Sequence, residues 1–136
     1  MKQFRVWDKK NKRMYYDNFF IGTFGELYRL SSYFNIDDDK YIVNLKPANM
    51  KMYNIMFSSE LSDCNGILLY ENDIIETNQK KKYIITYNKE KGIFLLKGID
   101  TDVTFEEISG DIKCIGNIYE NINDLKALEI SIFNII

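Results

Sequence analysis

Five short apolar runs follow one another between Asp73 and Ile118, and their spacing restricts the fold more than any other feature of the chain. They are Asp73–Thr77, Lys82–Tyr87, Gly92–Leu96, Val103–Ile108 and Ile112–Ile118. Runs of this length, separated by turn residues, predict a meander of antiparallel strands of the kind that closes into a small barrel. In the second run Tyr83, Ile85 and Tyr87 alternate with Ile84, Thr86 and Asn88, the period of a strand. Asn88–Gly92 then supplies a polar turn. The predicted class is mainly β, with an SH3-like, barrel-like meander, a pattern that serves many unrelated functions.

The first half reads as an N-terminal β-hairpin region. Residues 3–8 and 13–16 predict one hairpin, and Phe19–Ile21 with Glu26–Leu30 predict another around Gly22-Thr23-Phe24-Gly25. A helix over Gly25–Phe34 competes, because Leu27, Leu30 and Phe34 also recur at helical spacing. Asn35–Lys40 reads as an acidic loop, Tyr41–Leu45 as a strand, Pro47-Ala48-Asn49 as a break and Met50–Phe57 as a further strand. Ser58–Gly66 reads as a turn region closed by Asn65-Gly66, which sets a seam between lobes 1–64 and 65–136 of a single domain. A short C-terminal helix starts at Asn123 or Asp124, with Leu125, Leu128 and Ile132 on one face.

At 136 residues, 46% of them hydrophobic and with 10 Tyr and 9 Phe, the chain has ample material for a folded core. A net charge of −2 and a pI of about 5.2 argue against a generally basic nucleic-acid coat. No apolar run reaches the ~20 residues a bilayer requires, and Met1-Lys2-Gln3-Phe4 has no signal-peptide core. A cytoplasmic address in a bacterial cell, with no membrane partner, is the resulting expectation. Cys64 and Cys114 are expected as thiols in such a compartment. The complete absence of histidine removes His-ligated zinc, Ser–His and Cys–His nucleophile pairs and the commonest general base. No catalytic residue, metal or cofactor is expected.

Several clusters remain as candidate surfaces. Lys80, Lys81, Lys82, Tyr83, Tyr87, Lys89 and Lys91 set cations beside aromatics, a combination that holds phosphates and stacks bases. The same lysines also fit a solvated hairpin that protects a strand edge. Asp37, Asp38 and Asp39 lack the spacing of a calcium loop; they fit a flexible solvated loop, or an acidic face offered to a basic protein partner. Ile130, Ile132, Phe133, Ile135 and Ile136 are apolar on more than one face, which fits burial or a homo-oligomer interface. Glu71, Asp73 and Glu120 could share acid–base work only if they converged in one pocket.

Three phrases, in order, carry a family resemblance. Phe4-Arg5-Val6-Trp7-Asp8 with Lys12-Arg13-Met14 opens the chain. Asn65-Gly66 followed by Tyr70-Glu71-Asn72-Asp73-Ile74-Ile75 stands at its centre, and Ile115-Gly116-Asn117-Ile118-Tyr119-Glu120-Asn121 closes it. Together they resemble the YopX family of small phage and prophage proteins. Ser59-Glu60-Leu61 replaces the family's Thr-Gly-Leu phrase, Asn72 stands where glycine is usual, and Ile122 where proline is usual. Asn tolerates positive φ and can keep the turn, whereas Glu60 reshapes its loop. The resemblance implies a β-rich, barrel-like fold and phage or prophage origin, with no assigned activity. The expected function is non-enzymatic binding and modulation of a bacterial or phage protein, one form being inhibition of a host-defence system in the manner of an anti-CRISPR. Direct nucleic-acid binding through the lysine–tyrosine cluster is the alternative, and a carboxylate enzyme is more remote.

Overall fold

The computed structural model describes residues 3–37, 40–99 and 101–121, and within them the chain is mainly β. Two compact units divide it: Phe4–Ile55 form one, and Gln3 with the residues from Met56 onward form the other. The sequence reading put the halves at 1–64 and 65–136. The division between Ile55 and Met56 falls inside one strand, because the run expected to end at Phe57 continues to Ser62.

In the unit Phe4–Ile55, β1 (Phe4–Asp8) pairs antiparallel with β2 (Arg13–Tyr15), with Trp7 opposite Met14 and Asp8 opposite Arg13. The Asp8 carboxylate closes their turn. It accepts the N–H of Lys10 (3.0 Å), the N–H of Asn11 (3.1 Å) and the Asn11 side-chain amide (2.8 Å), so donors left idle by the turn are satisfied locally. A second sheet has the order β3-β4-β5, made of Phe19–Ile21, Leu27–Asp37 and Lys40–Pro47.

The competing helix over Gly25–Phe34 does not form. Gly25 takes a positive φ of 83°, the turn closes through Gly22 N–H to Glu26 O (2.8 Å), and Phe19–Ile21 pair with Leu27–Arg29. Leu27 then enters a core with Val6 and Phe19, joined by Phe4, Tyr15, Ile21, Ala48, Tyr53 and Ile55. Phe19 meets Tyr53 edge to face at 5.2 Å, and both strand pairing and burial favour the extended backbone over helical periodicity. Of the predicted acidic loop, Asn35–Asp37 belong instead to β4 and Lys40 to β5, and Asp38 and Asp39 lie outside the described residues.

β6 (Tyr53–Ser62) begins in the first unit, and its part from Met56 onward pairs with β7 (Leu68–Tyr70) in the second. The predicted meander follows in a five-stranded antiparallel sheet. Its order is β11-β10-β9-β8-β12, made of Asp102–Val103, Ile93–Lys97, Lys82–Asn88, Asp73–Thr77 and Ile112–Asn117. One expected strand is mostly absent: Val103–Ile108 gives two strand residues and then a 3-10 turn over Phe105–Glu107. Phe105 and Ile108 lie three residues apart, on one face of such a turn, and pack on the core together with Val103.

The meander is covered on both faces. Ile75, Tyr83, Ile85 and Leu96 cluster with Leu69 on one side, while Ile74 and Ile84 cluster with Ile118 on the other. Full burial of each such side chain stabilises by about 1.5–3 kcal/mol, so the alternating run Tyr83–Ile85 contributes on both faces. The predicted C-terminal helix and the apolar residues Ile130, Ile132, Phe133, Ile135 and Ile136 lie outside the described residues. No helix among the described residues is long and apolar enough to cross a membrane.

Candidate functional site

The polar residues of the three phrases act on the backbone. Asp63, just before the Asn65-Gly66 turn, is buried and accepts three main-chain N–H groups: Asn65 (2.9 Å) and Ile67 (2.8 Å) on Oδ1, and Cys114 of β12 (3.0 Å) on Oδ2. Burial acts to raise its pKa. The donors from Cys114, Ile67 and Asn65, with the charge of Lys113, outweigh that effect and hold the group below its ordinary 3.8. Asp8 is governed in the same way: burial raises it, while the donors from Asn11 and Lys10 and the Arg29 charge outweigh burial and hold it below its ordinary 3.8.

Asn72 takes φ +70°, the left-handed conformation that glycine would adopt there. Its N–H donates to Ile85 O (2.7 Å), its carbonyl accepts the Ile118 N–H (3.0 Å), and its side-chain amide donates to the Tyr119 hydroxyl (3.4 Å). The central and closing phrases are therefore neighbours, joined also by the pairing of β8 with β12. Asn117 organises the closing turn. Its Oδ1 accepts the N–H groups of Tyr119 (3.0 Å) and Glu120 (2.9 Å), and its Nδ2 donates to Glu120 Oε1 (2.8 Å).

The three carboxylates considered for acid–base work each accept from a different donor. Asp73 takes the Tyr70 N–H (2.8 Å), Glu71 the Phe57 N–H (3.1 Å) and Glu120 the Asn117 amide. Among the described residues no three His, Cys, Asp or Glu side chains are grouped to hold a metal ion. Cys64 is exposed and Cys114 half-buried, and no disulfide joins them.

The lysine–tyrosine cluster is spread along β9. Lys80 and Lys81 precede the strand and Lys89 and Lys91 follow it, about 20 Å away at the rise of a strand. Lys80 and Lys82 both approach Glu76, at 3.6 and 4.0 Å. Tyr83 is buried in the core, whereas Tyr87 is partly exposed and packs against Phe94. Of the acidic run, Asp37 is exposed at the end of β4, and Asp38 and Asp39 lie outside the described residues.

An apolar surface that the sequence reading did not single out is the ribbon of β4 and β5. Phe34 pairs with Ile42, and both are exposed, at 60% and 49%. Val43 and Leu45, of opposite parity on β5, are also exposed, as is Ile36. The ribbon thus shows apolar side chains on both faces. Register shifts between Leu30 and Ser32 and between Asn35 and Asp37 mark bulges, which increase local twist. In this sheet β5 is an edge strand. The signal was present in the alternation Phe34-Asn35-Ile36-Asp37, which continues the strand pattern into a segment that its charge marked as loop.

Comparison with known proteins places this architecture. The fold is similar to that of protein EF1440 from Enterococcus faecalis, 21% identical, with 92% of this chain and 98% of that one covered and a TM-score of 0.62. It is also similar to protein yopX from Bacillus subtilis, 17% identical, with 92% and 97% covered and a TM-score of 0.54. No curated protein matches the chain. The family model described as YopX protein matches residues 3–126, nearly the whole sequence, and the chain belongs to the YopX family.

Proposed function

We propose that this chain is a non-catalytic accessory protein of phage or prophage origin that binds a bacterial or phage protein through the β4–β5 ribbon and modulates it. The observation that carries this reading is the ribbon's exposure of Phe34, Ile36, Ile42, Val43 and Leu45. Exposed apolar side chains gathered on one ribbon are costly in water and mark interaction sites, and β5, an edge strand among the described residues, presents main-chain groups that a partner strand can meet. The phage association rests on the family resemblance, and Asp37, exposed at the end of β4, favours a basic partner. A host-defence nuclease is one target with that chemistry, which makes inhibition of an anti-CRISPR kind a specific form of the proposal.

The test is affinity capture from infected and uninfected host cells with the native chain and with a Phe34→Ser/Ile42→Ser/Val43→Ser variant. A protein retained by the native chain and lost by the variant, both showing the same circular dichroism, is the expected result. Equal retention by both removes the ribbon as the binding surface. A dimer in light scattering that the variant abolishes assigns the ribbon to a second copy instead. Salt-sensitive binding of DNA or RNA oligonucleotides that the variant retains points to nucleic acid and overturns the reading.

A further inference from the structure

The unit Phe4–Ile55 and the rest of the chain differ in charge. By sequence the unit carries nine Lys and Arg against six Asp and Glu, whereas the remainder carries nine against fourteen. Much of the unit's positive charge gathers at one place. Lys9, Lys10, Lys12 and Arg13 are all exposed around the turn from β1 to β2. Lys9 ties this turn to the segment before β6, its N–H donating to Met52 O (3.0 Å) and its Nζ to Lys51 O (3.1 Å), so the exposed Lys51 adds a further cation. Arg29 of β4 lies close enough for its charge to act on the Asp8 carboxylate, and Lys46 of β5 is its direct cross-strand partner. Side chains of such a pair project from the same face of a sheet, which continues the positive surface from the turn onto the base of β4 and β5.

We propose that this cationic belt docks an acidic segment of a partner protein. Like charges directly opposite on neighbouring strands destabilise a sheet, and Arg29 with Lys46 is such a pair, both exposed. A carboxylate set over the pair relieves that repulsion. Among the described residues none of the belt's cations forms an ion pair, and the Asp8 carboxylate beside them is buried and accepts three donors of its own turn. The positive field therefore acts on an anion from outside. Aromatic rings decide between a protein and a nucleic acid. Single strands are held by cations together with open ring faces for the bases, but Trp7 is buried and the Arg13 guanidinium lies over the Tyr15 ring at 5.3 Å. The net charge of −2 also opposes a long phosphate chain, whereas a short run of Asp and Glu meets the belt alone. Asp37 stands eight residues beyond Arg29 on β4, about 25 Å away at the rise of a strand, so a basic surface facing it is a separate contact. The proposal rests on the cations and not on the exposed apolar side chains of β4 and β5.

Native protein is titrated with a fluorescein-labelled peptide of alternating Glu and Gly, with its Gln counterpart, and with an oligothymidylate of equal charge, by anisotropy at about 50 mM and about 300 mM salt. The Glu peptide is expected to bind more tightly than both controls and to weaken about three- to thirtyfold between the two salt levels. Lys46→Glu separates docking from a structural role. It turns the like-charge pair into an opposite pair, so the urea midpoint is expected to rise while peptide affinity falls about three- to thirtyfold. Lys10→Gln/Lys12→Gln, in the exposed turn, is expected to weaken the peptide about two- to tenfold with the urea midpoint unchanged. Absence of salt-sensitive Glu-peptide binding by native protein, equal binding of the Gln peptide, or tighter binding of the oligothymidylate overturns the proposal. So does a peptide affinity that both variants leave unchanged. A salt-sensitive dimer in light scattering that Lys46→Glu abolishes gives the belt to a second copy and likewise overturns it.

Discussion

Asp63 shows how much one side chain can hold together here. Its two oxygens take up three main-chain donors, two in its own turn and one on β12, fifty-one residues away. Asp63→Ala leaves those donors unpaired in a half-buried setting and is expected to destabilise by about 2–4 kcal/mol, read from the urea midpoint. The pH dependence follows from the same contacts. Both Asp63 and Asp8 sit below the ordinary 3.8 when folded, so the unfolded chain binds more protons in the window below that value. Their stabilisation is complete above pH 3.8 and is lost as pH falls through the folded values. Asp63→Asn is therefore expected to lower stability at neutral pH and to flatten its decline in acid, as measured by denaturant melts from pH 7 downward. A melt series as steep in acid as that of the native chain would contradict this assignment. The role of Asp63 was not legible in the sequence, because an Asp before Asn-Gly looks like ordinary turn chemistry, and its third donor becomes adjacent only when β12 returns.

Turn conformation at the element scale was more legible. The replacement of the family's glycine by Asn72 implied a position that requires positive φ, and Asn72 has φ +70°. Glu60 at φ +65° marks the irregular stretch of β6, where register shifts between Ser58 and Ser62, the loop the sequence comparison identified as altered. Asn72→Gly is expected to change stability by less than about 1 kcal/mol, and Asn72→Val to cost about 1–3 kcal/mol, because a β-branched residue resists positive φ. Thermal melts of the two variants measure the difference, and equal melting temperatures would remove backbone strain as the reason. The ribbon is where reading the elements was least successful. Spacing of Leu27, Leu30 and Phe34 admitted a helix and the aspartates suggested a loop, yet pairing with β3 and β5 extends the strand from Leu27 to Asp37.

For the molecule as a whole, Ile84 and Ile99 make the useful contrast, being the same residue type fifteen positions apart. Ile84 is fully buried against Ile74 and Ile118, whereas Ile99 is 61% exposed. Ile84→Ala is expected to cost about 2–5 kcal/mol and Ile99→Ala less than about 0.5 kcal/mol in urea unfolding. Similar losses at both positions would show that the meander core is not organised as described. By itself the sequence determined the mainly β class, the family, most strand positions from Asp73 onward and the exclusion of histidine chemistry. These depend on local alternation, turn residues and composition, which are written in neighbouring positions. Only the tertiary structure decided that Asp63 reaches β12, that the lysines beside β9 stand at its two ends, and that the basic turn after β1 meets Lys51 and Arg29. Those facts depend on which distant segments pair and in what register, and strand pairing is a long-range choice that no local pattern specifies.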